Sequence, residues 1–249
     1  MAIMIKSPAE IEKMYRSGQI LKQVHDAIRP LVVAGASTMD LEDCANSRID
    51  ALGAKAAFKG YHGFPASLCT SLNDQVVHGM PSGKTILKDG DILSIDCGVV
   101  VDGYYSDAAV TYAIGVQTPR TRKLLDVTKA SLEAAIQEAV PGGRLFDISA
   151  AVQEMCEAAG FTVVREFVGH GIGKSMHEDP QLPNFGSRGK GPRLKAGMVL
   201  AIEPMINAGA PEVKVLKDGW TAVTVDGSYS AHFEHTVAIT KEGPRVLTR

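Results

Sequence analysis

Apolar positions fall into two successive cycles, each of two helical stretches followed by strands. Ile11, Met14, Leu21, Val24, Ile28 and Leu31 recur near helical spacing, which predicts an amphipathic helix. Ser7-Pro8-Ala9-Glu10 marks its start, with a cap, a proline at the first helical position and a glutamate three residues after the cap. Pro30 and Gly35 end it. Thr38 is the expected cap of a second helix, with Leu41, Ala45, Ile49 and Leu52 on one face and Gly53 as its stop. The plan then repeats. Thr118-Pro119 opens a helix that runs to Pro141-Gly142-Gly143, and a further helix runs from Leu145 towards Gly160.

Strands are expected at 91–101 and 104–114, joined by the hairpin dipeptide Asp102-Gly103. Further strands are expected at 163–167, 198–206, 213–215, 220–225 and 231–240. Short antiparallel connections dominate, so the class is α+β. No Pro/Ser-rich linker divides the chain, which is read as one domain, 1–249, with an internal duplication of about 8–115 and 118–240.

Two phrases carry that duplication. Leu87-Lys88-Asp89-Gly90-Asp91-Ile92-Leu93-Ser94-Ile95-Asp96 matches Leu194-Lys195-Ala196-Gly197-Met198-Val199-Leu200-Ala201-Ile202-Glu203 at an offset of 107 (194 − 87). Each is a strand entered through a glycine turn and closed by an acid. Gly35, Asp40, Ala51 and Gly53 match Gly142, Asp147, Ala158 and Gly160 at the same offset, and His78-Gly79 matches His170-Gly171 at an offset of 92.

Side chains alternate along strands. Ile92, Ser94 and Asp96 share one face, as do Val199, Ala201 and Glu203. The opposite faces, with Leu93, Ile95 and Cys97 or Leu200 and Ile202, are oily and are expected to meet helices. Ser94 and Ala201 are small and are expected to leave room for a ligand. Tyr105, Asp107, Ala109 and Thr111 share a face, and so do His232, Glu234 and Thr236. An acid on an inward face is costly to bury unpaired, and several together repel one another. Asp96, Asp107, His170, Glu203 and Glu234 therefore form a candidate cluster for two divalent ions. Its oxygen-rich set with one imidazole suits Mn, Fe, Co or Zn. His170 is expected just after an apolar strand, between glycines that permit close backbone approach. Taken singly, any of these acids reads as a surface residue, and His78 and His177 read equally as surface or core histidines.

Composition narrows the alternatives. A net charge of −2 on 249 residues gives no general attraction for nucleic acid or anionic lipid. No run of about 18 apolar residues is present, so no membrane span is expected. Cys44, Cys69, Cys97 and Cys156 are scattered, and the N-terminus lacks a signal layout, so reduced thiols and a cytoplasmic location are expected.

The spacing of these acids, together with the segments Phe58-Lys59-Gly60-Tyr61-His62-Gly63-Phe64-Pro65, Ser71-Leu72-Asn73-Asp74-Gln75-Val76-Val77-His78-Gly79, Gly169-His170-Gly171-Ile172-Gly173, Met176-His177-Glu178, Ile202-Glu203-Pro204 and Phe233-Glu234-His235-Thr236, resembles the pita-bread metallopeptidases. The close context resembles the type I methionine aminopeptidases over essentially the whole chain. Only 31 residues (234 − 203) separate Glu203 from Glu234, which leaves no room for the helical insertion of type II relatives. The resemblance implies a pseudo-twofold curved antiparallel sheet backed by helices, and removal of the initiator methionine when the second residue is small. It implies that Asp96 and Asp107 hold one metal, and that Asp107, His170, Glu203 and Glu234 hold a second. Glu203 is then the proton carrier, His177 donates to the developing oxyanion, and His78 holds the scissile amide. Phe58, Tyr61, Phe64, Cys69, Met176 and Trp220 match the pocket for the first side chain, where a thioether gains sulfur–aromatic contacts; each reads equally as core packing. A monovalent cation on backbone carbonyls near Asn73 and Ser230, a monomeric state, nascent polypeptide N-termini as partners and a ribosome contact complete the expectations. An aminopeptidase P or prolidase-like enzyme, and a non-catalytic pita-bread module binding protein or RNA, are the alternatives.

Overall fold

The computed structural model describes residues 2–249. In chain order the first part contains α1 (Pro8–Ile28), α2 (Thr38–Ala51), β1 (Lys55–Ala56), β2 (Leu68–Leu72), β3 (Gln75–Val77), β4 (Ile92–Val101) and β5 (Tyr104–Ala113). The second contains α3 (Pro119–Glu138), α4 (Leu145–Ala158), β6 (Thr162–Val163), β7 (Val168–Gly171), β8 (Glu178–Pro183), β9 (Val199–Ile202) and β10 (Met205–Asn207). β11 (Val213–Val215), β12 (Ala222–Thr224), β13 (Ser230–His232), β14 (His235–Thr240) and β15 (Gly243–Val246) follow.

The helices start and stop for local reasons. Ser7 accepts from the Glu10 N–H while the Glu10 carboxylate accepts from the Ser7 N–H, so two otherwise orphaned donors are satisfied. The second helix is capped by Ser37 rather than Thr38; Ser37 and Asp40 make the reciprocal pair, and Thr38 is the first helical residue. Thr118 caps α3 as expected. The helices pair in order, 21 with 14 residues and then 20 with 14.

All strand pairings are antiparallel. β4 lies between β1 and β2 and also pairs with β5. The hairpin turns at Asp102 and Gly103, with φ of 50° and 76°, the left-handed pair that matches strand twist. A second sheet runs β15-β14-β9-β7-β8, and two three-stranded sheets, β13-β10-β6 and β11-β12-β3, close the remaining edges. The oily faces meet helices as expected. Leu93, Ile95, Cys97 and Val99 pack with Leu21, Val24, Leu41 and Ile49, and Leu200 and Ile202 pack with Leu132, Ile136, Ile148 and Val152. Truncating one such side chain, as in Ile95→Ala, costs about 2–5 kcal/mol.

Several expected strands are shorter or broken. The 198–206 segment divides into β9 and β10 at Glu203-Pro204, because Pro204 has no N–H for the ladder. The 231–240 segment divides into β13 and β14 at Phe233-Glu234, where the Glu234 N–H turns aside to the Ala109 carbonyl at 2.9 Å. The 163–167 segment shrinks to β6, paired with β10. His170 lies inside β7, opposite Gln181 and Ala201, rather than after a strand.

Two threonines tie the halves together. Thr236 Oγ1 donates to the Asp107 carbonyl at 2.8 Å and accepts from the Asp107 N–H at 2.9 Å. Thr111 Oγ1 donates to the His232 carbonyl at 2.7 Å and accepts from the His232 N–H at 2.9 Å. Each threonine thus replaces a missing ladder contact between β5 and the β13–β14 segment. No described helix is long and apolar enough to cross a membrane.

Candidate active site

A cavity of about 250 Å³ opens where these strands converge. Around it stand Asp96, Asp107, His170, Glu203 and Glu234, the histidines His78 and His177, and the apolar residues Phe58, Tyr61, Phe64, Cys69, Met176 and Trp220. The structure therefore gathers every residue singled out from the sequence as a ligand, catalytic group or pocket wall.

Register explains the convergence. Asp96 on β4 is opposite Cys69 on β2 and Ala109 on β5, while Asp107 is opposite Gly98. The carboxyls of Asp96 and Asp107 are close enough to perturb one another. Glu203 leaves the end of β9 and Glu234 sits in the gap before β14. Asp107 and Glu234 are buried, 4% and 1% exposed, whereas the Glu203 side chain keeps 13%. His170 Nδ1 donates to the Gly171 carbonyl at 2.9 Å, which leaves the Nε2 lone pair facing the acids. That nitrogen lies 3.6 Å from Glu203 Oε1 and 4.0 Å from Asp107 Oδ2.

The electrostatics of this cluster are those of a cation site. Burial pushes Asp96 up to about 7, with Glu203 adding to the rise and His232 opposing it. Burial also pushes Asp107, Glu203 and Glu234 well above the carboxylate range, and neighbouring acids reinforce the effect for Asp107 and Glu234. Burial holds His170 down to about 3, so its ring is neutral and able to ligate. Asp96 Oδ1, Asp107 Oδ1 and Glu234 Oε1 are buried without a hydrogen-bond partner. Ligand atoms of Asp107, His170 and Glu234 lie within 4.8 Å of one another. A hard or borderline divalent cation fits this donor set and removes both the repulsion and the unpartnered oxygens.

The flanking histidines differ in their settings. His177 stands at the rim, where Tyr61 Oη and His177 Nδ1 are 2.8 Å apart, and its ring lies 4.3 Å from that of His170. His78 has φ of 59°, a left-handed conformation that costs a residue with a Cβ of order 1 kcal/mol. Its ring packs edge-on against Phe167, and burial lowers its pKa to about 4. The next residue must be glycine, because a Cβ at Gly79 would lie 2.4 Å from the Thr70 carbonyl oxygen.

Phe58, Phe64, Cys69 and Met176 form a compact apolar cluster with Tyr61 and Trp220 at its edge, and the Phe64 and Trp220 rings meet edge to face at 5.2 Å. Gly98 forms part of the floor. A Cβ there would stand 2.9 Å from Phe58 and 3.3 Å from the Met176 methyl. The sequence reading did not identify Gly98, and only its place on the acid face of β4 signals it. The small residues expected to leave room for a ligand do otherwise. Ser94 hydrogen-bonds Thr111 at 2.8 Å, and Ala201 is fully buried between its strand neighbours His170 and Thr236. His232 also went unassigned, although alternation placed it on the acid face. It is 1% exposed, with Nε2 3.6 Å from Glu203 Oε2. Near the base of β3, the Ser230 N–H donates to the Asn73 carbonyl at 2.8 Å. All four cysteines are free thiols.

The profile of metallopeptidase family M24 matches residues 12–241. The chain belongs to that family. As an M24 metallopeptidase it is built to bind divalent metal, and Asp107, His170 and Glu234 form a candidate ligand group. It is 51% identical over 247 residues to methionine aminopeptidase 1 of Bacillus subtilis, covering 99% of both chains. It is 44% identical over 249 residues to the methionine aminopeptidase of Escherichia coli, covering 100% of this chain and 94% of that protein. Among solved structures, the methionine aminopeptidase of Thermotoga maritima superposes with a TM-score of 0.98 at 48% identity over the full length of both chains. The prolidase of Pyrococcus furiosus shares the M24 fold at a TM-score of 0.78 and 23% identity, with 98% of this chain matching 65% of that one. The architecture is accordingly the pita-bread fold, a pseudo-twofold curved antiparallel sheet backed by helices.

Proposed function

We propose that this chain removes the N-terminal initiator methionine from nascent proteins whose second residue is small, by peptide hydrolysis assisted by two divalent ions. The observation that carries the reading is one cavity with an acid–imidazole cluster at one end and an aromatic, sulfur-bearing pocket at the other. Likeness along nearly the whole chain to proteins named methionine aminopeptidase supports the same substrate. Asp96 and Asp107 would hold one ion, and Asp107, His170, Glu203 and Glu234 the other, with Mn, Fe, Co or Zn as candidates. Bound there, divalent ions supply Lewis acidity and a water acidified towards neutral pH.

The protein's own groups do the rest. Glu203 takes the proton of the attacking water and passes it to the leaving amine. His177, at the rim, donates to the oxygen of the scissile carbonyl as charge develops on it, and His78 holds the amide in line. The thioether lies against Phe58, Tyr61, Phe64, Cys69, Met176 and Trp220. With the free α-amine at the acid end of so small a cavity, cleavage is confined to chain ends.

The same reading takes residues 1–249 as one catalytic domain built from two copies, 8–115 and 118–240. It makes the protein a cytoplasmic monomer acting on chains as they leave the ribosome. Backbone carbonyls near Asn73 and Ser230 would hold a monovalent cation that steadies the base of β3. The discriminating experiment compares metal-supplemented hydrolysis of Met-Ala-Ser with that of an Xaa-Pro dipeptide. Preferential release of methionine is expected. Preference for the Xaa-Pro bond would move the chain to prolidase-like chemistry.

A further inference from the structure

We propose that His232 is a positioning residue for Glu203, its Nε2–H donating to the Glu203 carboxylate and fixing the oxygen that carries the proton. This role rests on the part given to Glu203 above. Glu203 lies between two imidazoles, His170 Nε2 3.6 Å from Oε1 and His232 Nε2 3.6 Å from Oε2. The two rings are not equivalent. The Gly171 carbonyl takes the His170 Nδ1–H, so His170 turns a lone pair towards the acids and has no hydrogen to offer Glu203 there. His232 Nε2 has no hydrogen-bond partner among the described residues. A carboxylate only accepts, so a nitrogen facing Glu203 is satisfied by carrying the hydrogen. Buried polar atoms without partners are rare enough to call for a use, and Glu203 is the acceptor within reach.

The ring also stands on a fixed platform. Thr111 bonds both the N–H and the carbonyl of His232, at 2.9 Å and 2.7 Å, and Ser94 holds the Thr111 hydroxyl at 2.8 Å. That chain links β4 and β5 of the first half to the proton carrier of the second. The 3.6 Å gap is just beyond hydrogen-bond range, and such catalytic contacts commonly tighten once substrate is in place. Metal ligation is the competing use of the same nitrogen.

The test uses the full-length, metal-loaded protein and two variants. His232→Leu removes the donor, and His232→Gln restores an N–H on a side chain of similar reach. For His232→Leu, kcat for Met-Ala-Ser is expected to fall about 10- to 100-fold, with KM and calorimetric metal affinity essentially as in the wild type. His232→Gln is expected to recover most of kcat. Wild-type kcat in the Leu variant, or a Gln variant as slow as the Leu variant, would overturn the proposal. Loss of metal affinity in both would overturn it in favour of ligation. Absence of methionine release by the wild-type protein would instead remove the proposed function on which this role depends.

Discussion

Each half of the molecule contributes two acids to the cavity wall, one fully buried and one partly exposed. Asp96 and Asp107 come from the first half, Glu203 and Glu234 from the second. Asp107 and Glu234 are both buried, and each is anchored through its N–H to the opposite half, by Thr236 Oγ1 and the Ala109 carbonyl. Asp96 and Glu203 differ more. Asp96 sits inside an unbroken ten-residue strand, opposite Cys69 and Ala109. Glu203 stands where Pro204 ends β9, on a longer side chain between two imidazoles. The matched phrases supply equivalent acids, and their neighbours make them unequal. A carboxylate pinned in mid-strand suits a fixed ligand, and one at a strand end suits a group that exchanges a proton.

The contrast breaks most directly at Glu203. Glu203→Gln is expected to lower kcat roughly 100- to 10,000-fold at saturating metal without unfolding the protein. Asp96→Asn is expected to act mainly through weaker metal binding, so excess metal recovers part of its rate. Equal, unrecoverable losses in steady-state kinetics would erase the distinction between the halves.

Metal removal exposes what the acids share. Asp96 is raised from 3.8 to about 7, and the other three acids are also raised well above their ordinary range. In this window the folded state binds more protons than the unfolded one, so stability falls as pH rises. His170 and His78, lowered from 6.5 to about 3 and 4, act in the opposite sense, but only below about 6.5. Chelator-stripped protein is therefore expected to lose roughly 5 °C or more of Tm between pH 6.5 and 8, a loss that added metal prevents. A flat metal-free profile in thermal melts would mean that the acids do not repel as their burial implies.

The pocket joins walls from both halves, with Phe58, Phe64 and Cys69 from one and Met176 and Trp220 from the other. Trp220→Ala is expected to reduce the preference for Met over Leu by about tenfold in kcat/KM, with little effect on folding. An unchanged preference would rule Trp220 out of the selectivity. Smallest in effect are the reciprocal clamps. Thr236→Val and Thr111→Val are each expected to cost about 1 kcal/mol, or about 2–4 °C in Tm. If the two halves are equally dependent on one another, calorimetry will find the two losses similar.

Much of this arrangement was legible because its signals are local. The cap at Ser7, the turn at Asp102-Gly103 and the alternation through Ile92, Ser94 and Asp96 each lie within a few residues, and all appear in the structure. The matched acids were visible because each closes the same phrase in the sequence. What escaped depends on contacts distant in sequence. β2, β3, β8 and β15 are short or polar and gain their strand character from neighbours in the sheet. The break at Glu234 follows from its bond to Ala109 on β5, over a hundred residues away. Ser94 looked like space for a ligand until Thr111 filled it, and His232 was a residue on a face until Glu203 stood beside it.

The decisive measurement is methionine release from Met-Ala-Ser by chelator-stripped protein, with Mn, Fe(II), Co or Zn titrated back and bound metal counted calorimetrically in the same samples. Release that is absent without metal and rises with occupancy of the acid cluster is the expected result. Undiminished release by stripped protein, or none from folded protein carrying metal, would contradict a hydrolytic site shared between the two halves.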